Sequence, residues 1–157
     1  MATKFDTLWA NHPANETIPN IEPCQSKGRS NHANQCVIRL GLALARSGIS
    51  LASYPGAFCW TSGHGRQHPL RVEQMKFWLD SDKVTFVPYA DKYVRTKSGL
   101  QKSSQFFAGR RGIVAFLDFW GVNNTGDHID LWNGSAIAHG GNEYFASSRE
   151  LWFWEMD

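Results

Sequence analysis

The order of hydrophobic periods along the chain predicts an α+β fold, with helices first and an antiparallel sheet after them. Three stretches carry that prediction. "CVIRLGLALAR" at 36–46 repeats apolar residues at helical spacing, and "GIVAFLDFW" at 112–120 is a nearly unbroken apolar run of strand length. "DHIDLWNGSAIAH" at 127–139 has Asn133-Gly134 at its centre, a pair suited to a two-residue hairpin turn. The length of 157 residues suits one ordinary domain, so residues 1–157 are read as a single globular unit.

Taken in order, Phe5, Leu8 and Trp9 are spaced i, i+3, i+4 and predict a short helix ended near Pro13. Residues 13–35, rich in Pro, Asn, Ser and Gly, read as a long irregular loop. From Cys36 onward, Val37, Leu40, Ala43 and Leu44 form one apolar stripe; Asn34 is the expected N-cap and Gly48 the expected stop. Residues 52–68 have no periodicity and predict a second loop. A third helix follows Pro69, with Val72, Met75, Trp78 and Leu79 on its buried side. The period then changes: "VTFVPY" at 84–89, the run at 112–120, "EYF" at 143–145 and "LWFWEM" at 151–156 are all expected strands.

Charge and hydropathy exclude several function classes. A net charge of +2 with both signs interspersed, and only the short "GRR" at 109–111, lacks the basic footprint of a nucleic-acid binder. The longest unbroken apolar run, "IVAFL" at 113–117, is far below the roughly 20 residues a membrane span needs, so no membrane insertion is expected. "MATKFDTLWANHP" has no apolar signal-peptide core, so the protein is expected to be made in the cytoplasm without a signal peptide.

The chemistry centres on Cys36. A helix N-terminus offers unpaired N–H groups and partial positive charge, both of which favour a thiolate. A buried cysteine that merely packs is the competing reading. The hairpin argues for the nucleophile: with Asn133 and Gly134 as the loop, residue 132 faces 135 and His128 faces His139, their Cβ atoms about 4.5 to 5.5 Å apart. Two facing histidines make a base and its orienting partner. Alternation places Asp130 and Trp132 on the same face, Asp130 as the fallback orienter and Trp132 as a wall of the substrate cleft. The competing reading is that this face is simply solvated.

"NQCVIRLGLAL" at 34–44, "GRRGIVAF" at 109–116 and "HIDLWNG" at 128–134 together resemble the type VI secretion amidase effectors of the fourth family, relatives of the NlpC-type papain-like cysteine peptidases. The resemblance runs from about residue 30 to the end. It implies a papain-like fold in which a nucleophile-bearing helix packs on an antiparallel sheet. It further implies an antibacterial toxin, injected by the type VI machinery into the periplasm of a target bacterium and neutralised in the producer by an immunity protein. The implied reaction cuts the γ-D-glutamyl to meso-diaminopimelate amide of peptidoglycan stem peptides, with Cys36 as nucleophile and His128 as base. At the third position the family commonly has aspartate; this chain has His139.

No metal or cofactor is expected for that reaction. Cys59, His64 and His68 invite a zinc reading, but Gly65 and Pro69 break the helix that would aim the two histidines at one ion. Whether Cys24 and Cys59 pair as a disulfide stays open. Trp78, Trp152 and Trp154 are expected in the core. Two other functions fit the residues: a phage-type or housekeeping wall hydrolase cutting another bond, and a non-catalytic module binding wall glycans through its aromatics.

Overall fold

The computed structural model describes residues 3–61, 67–94 and 103–157. Helix α1 (Lys4–Asn11) starts at a capping box, in which Thr3 Oγ1 accepts from the Asp6 N–H and Asp6 Oδ2 from the Thr3 N–H, both at 3.1 Å. Phe5 and Leu8 are buried, as their spacing predicts. The loop expected over 13–35 contains a 3₁₀ turn at Pro13–Asn15 and a two-stranded ribbon, β1 (Gln25–Ser26) and β2 (Arg29–Ser30). Lys27 and Gly28, with φ of 53° and 76°, make the tight turn between these strands.

Helix α2 (Cys36–Arg46) is buried from Cys36 to Leu44. It is apolar on more than one side because it is sandwiched. One side joins the main core with α1, Met75 and Trp78, and the other packs Ile38 and Leu42 beside Cys24, Cys59 and Leu70. Gly48 ends the helix with φ of 80°, the left-handed conformation that glycine adopts without strain. Helix α3 (Val72–Leu79) begins three residues after Pro69 and buries Val72, Met75, Trp78 and Leu79 as expected.

The sheet has four antiparallel strands in the order β3 (Asp91–Val94), β6 (Glu150–Met156), β4 (Arg111–Trp120), β5 (Gly126–Trp132). Both faces are covered. Ile113, Ala115, Ile129, Leu131 and Trp154 point into the helical core, while Val114, Phe116, Trp132 and Phe153 meet Phe107, Ile137 and Phe145 on the other side. This double burial explains the continuous apolar run of β4.

Three strand expectations are corrected. Residues 84–89 form no strand; Val84 and Val87 pack into the core and the pairing starts later, at Asp91. "EYF" belongs instead to a single helical turn, α4 (Tyr144–Ser147). The return arm of the expected hairpin is reduced to one bridge, Trp132 to Ile137. No helix among the described residues is long and apolar enough to cross a membrane.

Candidate active site

β5 is an edge strand, and α2 lies against it. Side chains from the two elements therefore meet at the rim of the sheet rather than beneath it. Cys36 is the first residue of α2, 1% exposed, and its side chain lies beside His128 on β5, which is 7% exposed. His128 Nε2 lies 2.9 Å from Asp130 Oδ2, which leaves Nδ1 as the ring nitrogen for the thiol.

The side chain hydrogen-bonded to the His128 ring is therefore that of Asp130, the fallback, rather than that of His139. The expected register had Asn133-Gly134 in the loop; the observed loop is Gly134-Ser135, since the Asn133 N–H donates to Ala136 O at 3.0 Å and Ala138 N–H to Leu131 O at 3.1 Å. Asn133 Oδ1 explains the shift: it accepts from the Ser135 and Ala136 N–H groups at 2.9 and 2.8 Å, an Asx turn that makes Asn133 the last residue before the loop. His139 consequently falls beside Asp130 rather than His128. Its backbone N–H donates to Asp130 Oδ2 at 2.9 Å and its exposed imidazole lines the cleft.

Trp132 is also corrected. It is 1% exposed, donates Nε1–H to Phe107 O at 2.9 Å and packs on Phe145, so it belongs to the core under the sheet. The cleft wall is built by Phe119, Trp120 and Tyr144. A bulge at Asp118 (φ 57°), whose N–H donates to Asp127 Oδ1 at 2.9 Å, breaks the β4–β5 register between Phe116 and Trp120, at the stretch that carries the first two.

A residue that the sequence reading passed over completes the arrangement. His12, 1% exposed, caps the 3₁₀ turn by accepting the Ala14 N–H on Nδ1 at 3.2 Å. Nδ1 must then be unprotonated, so Nε2 carries the proton and points it at Asp130 Oδ1, 3.4 Å away. Leu131 N–H donates to the same oxygen at 2.8 Å. Nothing in the local sequence marks His12 except that it precedes a proline.

Electrostatics follow from these contacts. Burial opposes charge on His128, but the hydrogen bonds and charges of Asp130 and Cys36 outweigh it and push the imidazole up to about 9. Burial likewise opposes the Asp130 carboxylate, yet His128, His12 and the His139 N–H hold its pKa below the usual value. His12 is driven down to about 4, mainly by burial, with Arg39, His128 and His139 adding to the effect and Asp130 opposing it. His139 is lowered by burial and by the nearby Arg39. The site is thus built to hold one imidazolium, on His128, between a carboxylate and a thiol.

Two hollows flank Cys36. One, about 420 Å³, is lined by His128, His139, Arg39 and Trp120; the other, about 350 Å³, contains Cys36 with His32, Trp60 and Arg71; Asn34 borders both. Asn34 Oδ1 accepts the Cys36 N–H at 3.1 Å and its Nδ2 donates to Asp127 O at 3.2 Å, while Gln35 takes the N-cap position expected for Asn34. Arg39, one turn along α2, is buried and donates Nη1–H to Ile21 O; its Nε has no hydrogen-bond partner among the described residues.

Of the zinc reading, Cys59 is joined by Cys24 and His32; His64 lies outside the described residues. The Cys24 and Cys59 sulfurs are 3.6 Å apart and not bonded to each other.

A family model described as "Type VI secretion system (T6SS), amidase effector protein 4" matches residues 32–154, most of the chain and all of the helix–sheet pairing just described. The chain belongs to this amidase effector family, Tae4. The crystal structure of Tae4 from Enterobacter cloacae is similar over 100% of this chain and 98% of its own, with 23% identity and a TM-score of 0.71. The Tae4–Tai4 effector–immunity complex from the same organism matches over all of both chains, with 23% identity and a TM-score of 0.67. A Tae4–Tai4 structure from Salmonella typhimurium matches 79% of this chain and 74% of that one, with 25% identity and a TM-score of 0.55. At these identities the likeness speaks for the fold, a mixed helix and antiparallel-sheet arrangement consistent with the papain-like, NlpC-type expectation for Tae4. Among curated proteins none matches.

Proposed function

We propose that residues 1–157 act as one catalytic domain, a cysteine DL-endopeptidase that cleaves the γ-D-glutamyl to meso-diaminopimelate amide of peptidoglycan stem peptides. The observation that carries this reading is the chain of contacts from Cys36 to His128 to Asp130 at the start of a buried helix. The imidazole beside the thiol is the base that takes its proton, and a carboxylate on the far nitrogen keeps the ring turned toward the sulfur.

In this mechanism the Cys36 sulfur attacks the γ-carbonyl carbon of D-glutamate. The oxyanion that forms replaces Asn34 Oδ1 as acceptor of the Cys36 N–H. The tetrahedral intermediate collapses as the His128 imidazolium protonates the departing amine of diaminopimelate, leaving a γ-glutamyl thioester. His128, now neutral, takes a proton from water as it attacks the thioester, and Cys36 is restored. Asp130 and His12 hold the ring and do not exchange protons with substrate. The γ-linkage leaves the α-carboxylate of D-glutamate free beside the scissile bond, and Arg39, which lines the same hollow as His128, suits it by charge and placement.

The cellular reading follows from the family. Delivery by the type VI machinery brings the enzyme to the periplasm of the target cell, and a cognate immunity protein of the Tai4 kind neutralises it in the producer; Tae4 and Tai4 are known together as effector–immunity complexes.

Digestion of meso-diaminopimelate-type peptidoglycan followed by mass spectrometry tests the bond. The expected fragments end in D-glutamate on one side and begin with free diaminopimelate on the other. Cys36→Ala should yield none while keeping the wild-type melting temperature to within a few degrees, because a thiol-sized deletion leaves little cavity. Turnover by that variant would overturn thiol catalysis, and fragments cut elsewhere would favour a different wall hydrolase.

A further inference from the structure

We infer that Cys24, His32 and Cys59 form a binding site for a borderline-soft divalent cation, with zinc as the fitting ion, separate from the Cys36 centre and independent of the amidase reading. The three donor atoms lie within 4.8 Å of one another. Cys24 Sγ and Cys59 Sγ are 3.6 Å apart, and His32 Nε2 is 3.3 Å from Cys59 Sγ. Zinc bonds of about 2.3 Å to sulfur and about 2.0 Å to nitrogen, at tetrahedral angles, require edges of about 3.8 Å between two sulfurs and about 3.5 Å between sulfur and nitrogen. Two of the three edges are within a few tenths of an ångström of these, and the third, Cys24 Sγ to His32 Nε2, is no longer than 4.8 Å.

The surroundings are those of a built site. Cys24 directly precedes β1 and His32 follows β2, so the tight Lys27-Gly28 turn folds the two donors together, and the Asn31 N–H closes the ribbon onto Cys24 O at 2.9 Å. Cys59 arrives on the opposite loop, fixed by its own N–H to His68 O at 2.8 Å. Asn31 Nδ2 donates to Cys24 Sγ at 3.4 Å, the kind of N–H···S contact that stabilises a metal-bound thiolate. Trp60 packs edge-on against the His32 ring, with centroids 5.6 Å apart, and fixes its plane. A disulfide has no use for an imidazole nitrogen at that distance from its sulfur; two thiolates and a histidine are a zinc donor set. Binding releases the thiol protons to solvent and oxidises nothing, and water suffices as the fourth ligand.

The position gives the ion a task. Gln35, the residue before the nucleophile, grips the Cys24 peptide from both sides, accepting its N–H at 2.7 Å and donating to its carbonyl at 3.0 Å. An ion joining Cys24 to Cys59 therefore ties down the strap of chain that enters α2 and fixes one wall of the cleft.

The test uses the full chain, reduced and kept free of oxygen, titrated with cobalt and then zinc. One equivalent of cobalt should produce a thiolate-to-cobalt charge-transfer band that one equivalent of zinc bleaches. Zinc at roughly 100 times its Kd should raise the melting temperature by on the order of 5–10 °C. Cys59→Ser should lose the band, His32→Gln should weaken uptake roughly tenfold or more, and Cys36→Ala should bind as the wild type does. Because Cys24 is fully buried, the wild-type titration and the half-buried His32 carry the test without relying on a Cys24 variant. Absence of stoichiometric uptake by the reduced wild type, or a band that Cys36→Ala removes, would overturn the inference. So would loss of exactly these two thiols on mild oxidation in a chain that takes up no cobalt when reduced, the signature of a disulfide pair.

Discussion

Asp130 has two carboxylate oxygens and four polar neighbours: His128 and the His139 N–H hydrogen-bond one oxygen, the Leu131 N–H hydrogen-bonds the other, and His12 Nε2 lies 3.4 Å from that second oxygen. A buried carboxylate so saturated is fixed in place and keeps its charge at neutral pH. Asp130→Asn preserves the shape but removes the charge and can present an N–H where His128 needs an acceptor. We expect kcat/KM on muropeptides to fall by roughly 10²- to 10⁴-fold. His139→Ala, which leaves the backbone N–H in place, should cost less than about tenfold, an effect confined to KM if the imidazole only lines the cleft. The opposite ranking of the two variants would return the orienting role to His139. The sequence made Cys36 and His128 legible because each sits at a position defined by a strong local signal, a helix start and a hairpin strand. It set His139 opposite His128 because one Asx turn moves the loop by a single position, which shifts every facing pair by two residues and brings His139 opposite Asp130 instead. His12 was illegible for a different reason: its partner is 118 positions away along the chain, and a contact of that range leaves no periodic trace.

At the scale of an element, α2 carries both Cys36 and a glycine that a helix interior would ordinarily avoid. A Cβ on Gly41 would stand 2.3 Å from Pro69 Cδ, so the helix is pressed against the chain entering α3 closely enough that only a hydrogen fits. Gly41→Ala gains about 1 kcal/mol in helix propensity but must push the rigid proline ring away. Overpacking of this kind typically costs about 1–3 kcal/mol. The expected outcome is a net loss of stability in urea unfolding together with reduced turnover, since the displaced helix moves Cys36 relative to β5. A variant more stable than the wild type would show that the contact with Pro69 yields freely. The helices were legible from their periodicity because each presents a defined stripe to the core. The strand at 91–94 and the helical turn at 144–147 were not, because both are short and their residues are placed by partners far off in sequence, β6 in one case and the Phe116 and Trp132 side chains in the other.

For the whole molecule, the two buried histidines give stability a maximum in pH. His128 binds its proton more tightly folded than unfolded, so the stabilisation it contributes is complete below its unfolded pKa near 6.5 and is lost as pH rises through about 9. His12 is the reverse: its folded pKa of about 4 means that the native state refuses a proton the unfolded chain accepts, and stability falls as pH drops from about 6.5 toward 4. Each shift is worth on the order of 3 kcal/mol. Melting curves should therefore peak near pH 6.5. His12→Gln should flatten the acid limb selectively, and Asp130→Asn the alkaline one. A wild-type profile that is level from pH 4 to 9 would count against both assignments.

β6 lies between β3 and β4, yet it follows every residue of the cleft in the chain. During synthesis Cys36, His128 and Asp130 all leave the ribosome before the strand that joins the two halves of their sheet. Until residues 150–156 emerge and insert, β4 has an open flank and the helix start has no rigid counterface, so catalytic competence arrives as a single late event rather than by degrees. An amidase assembled in this order stays inactive until β6 is in place.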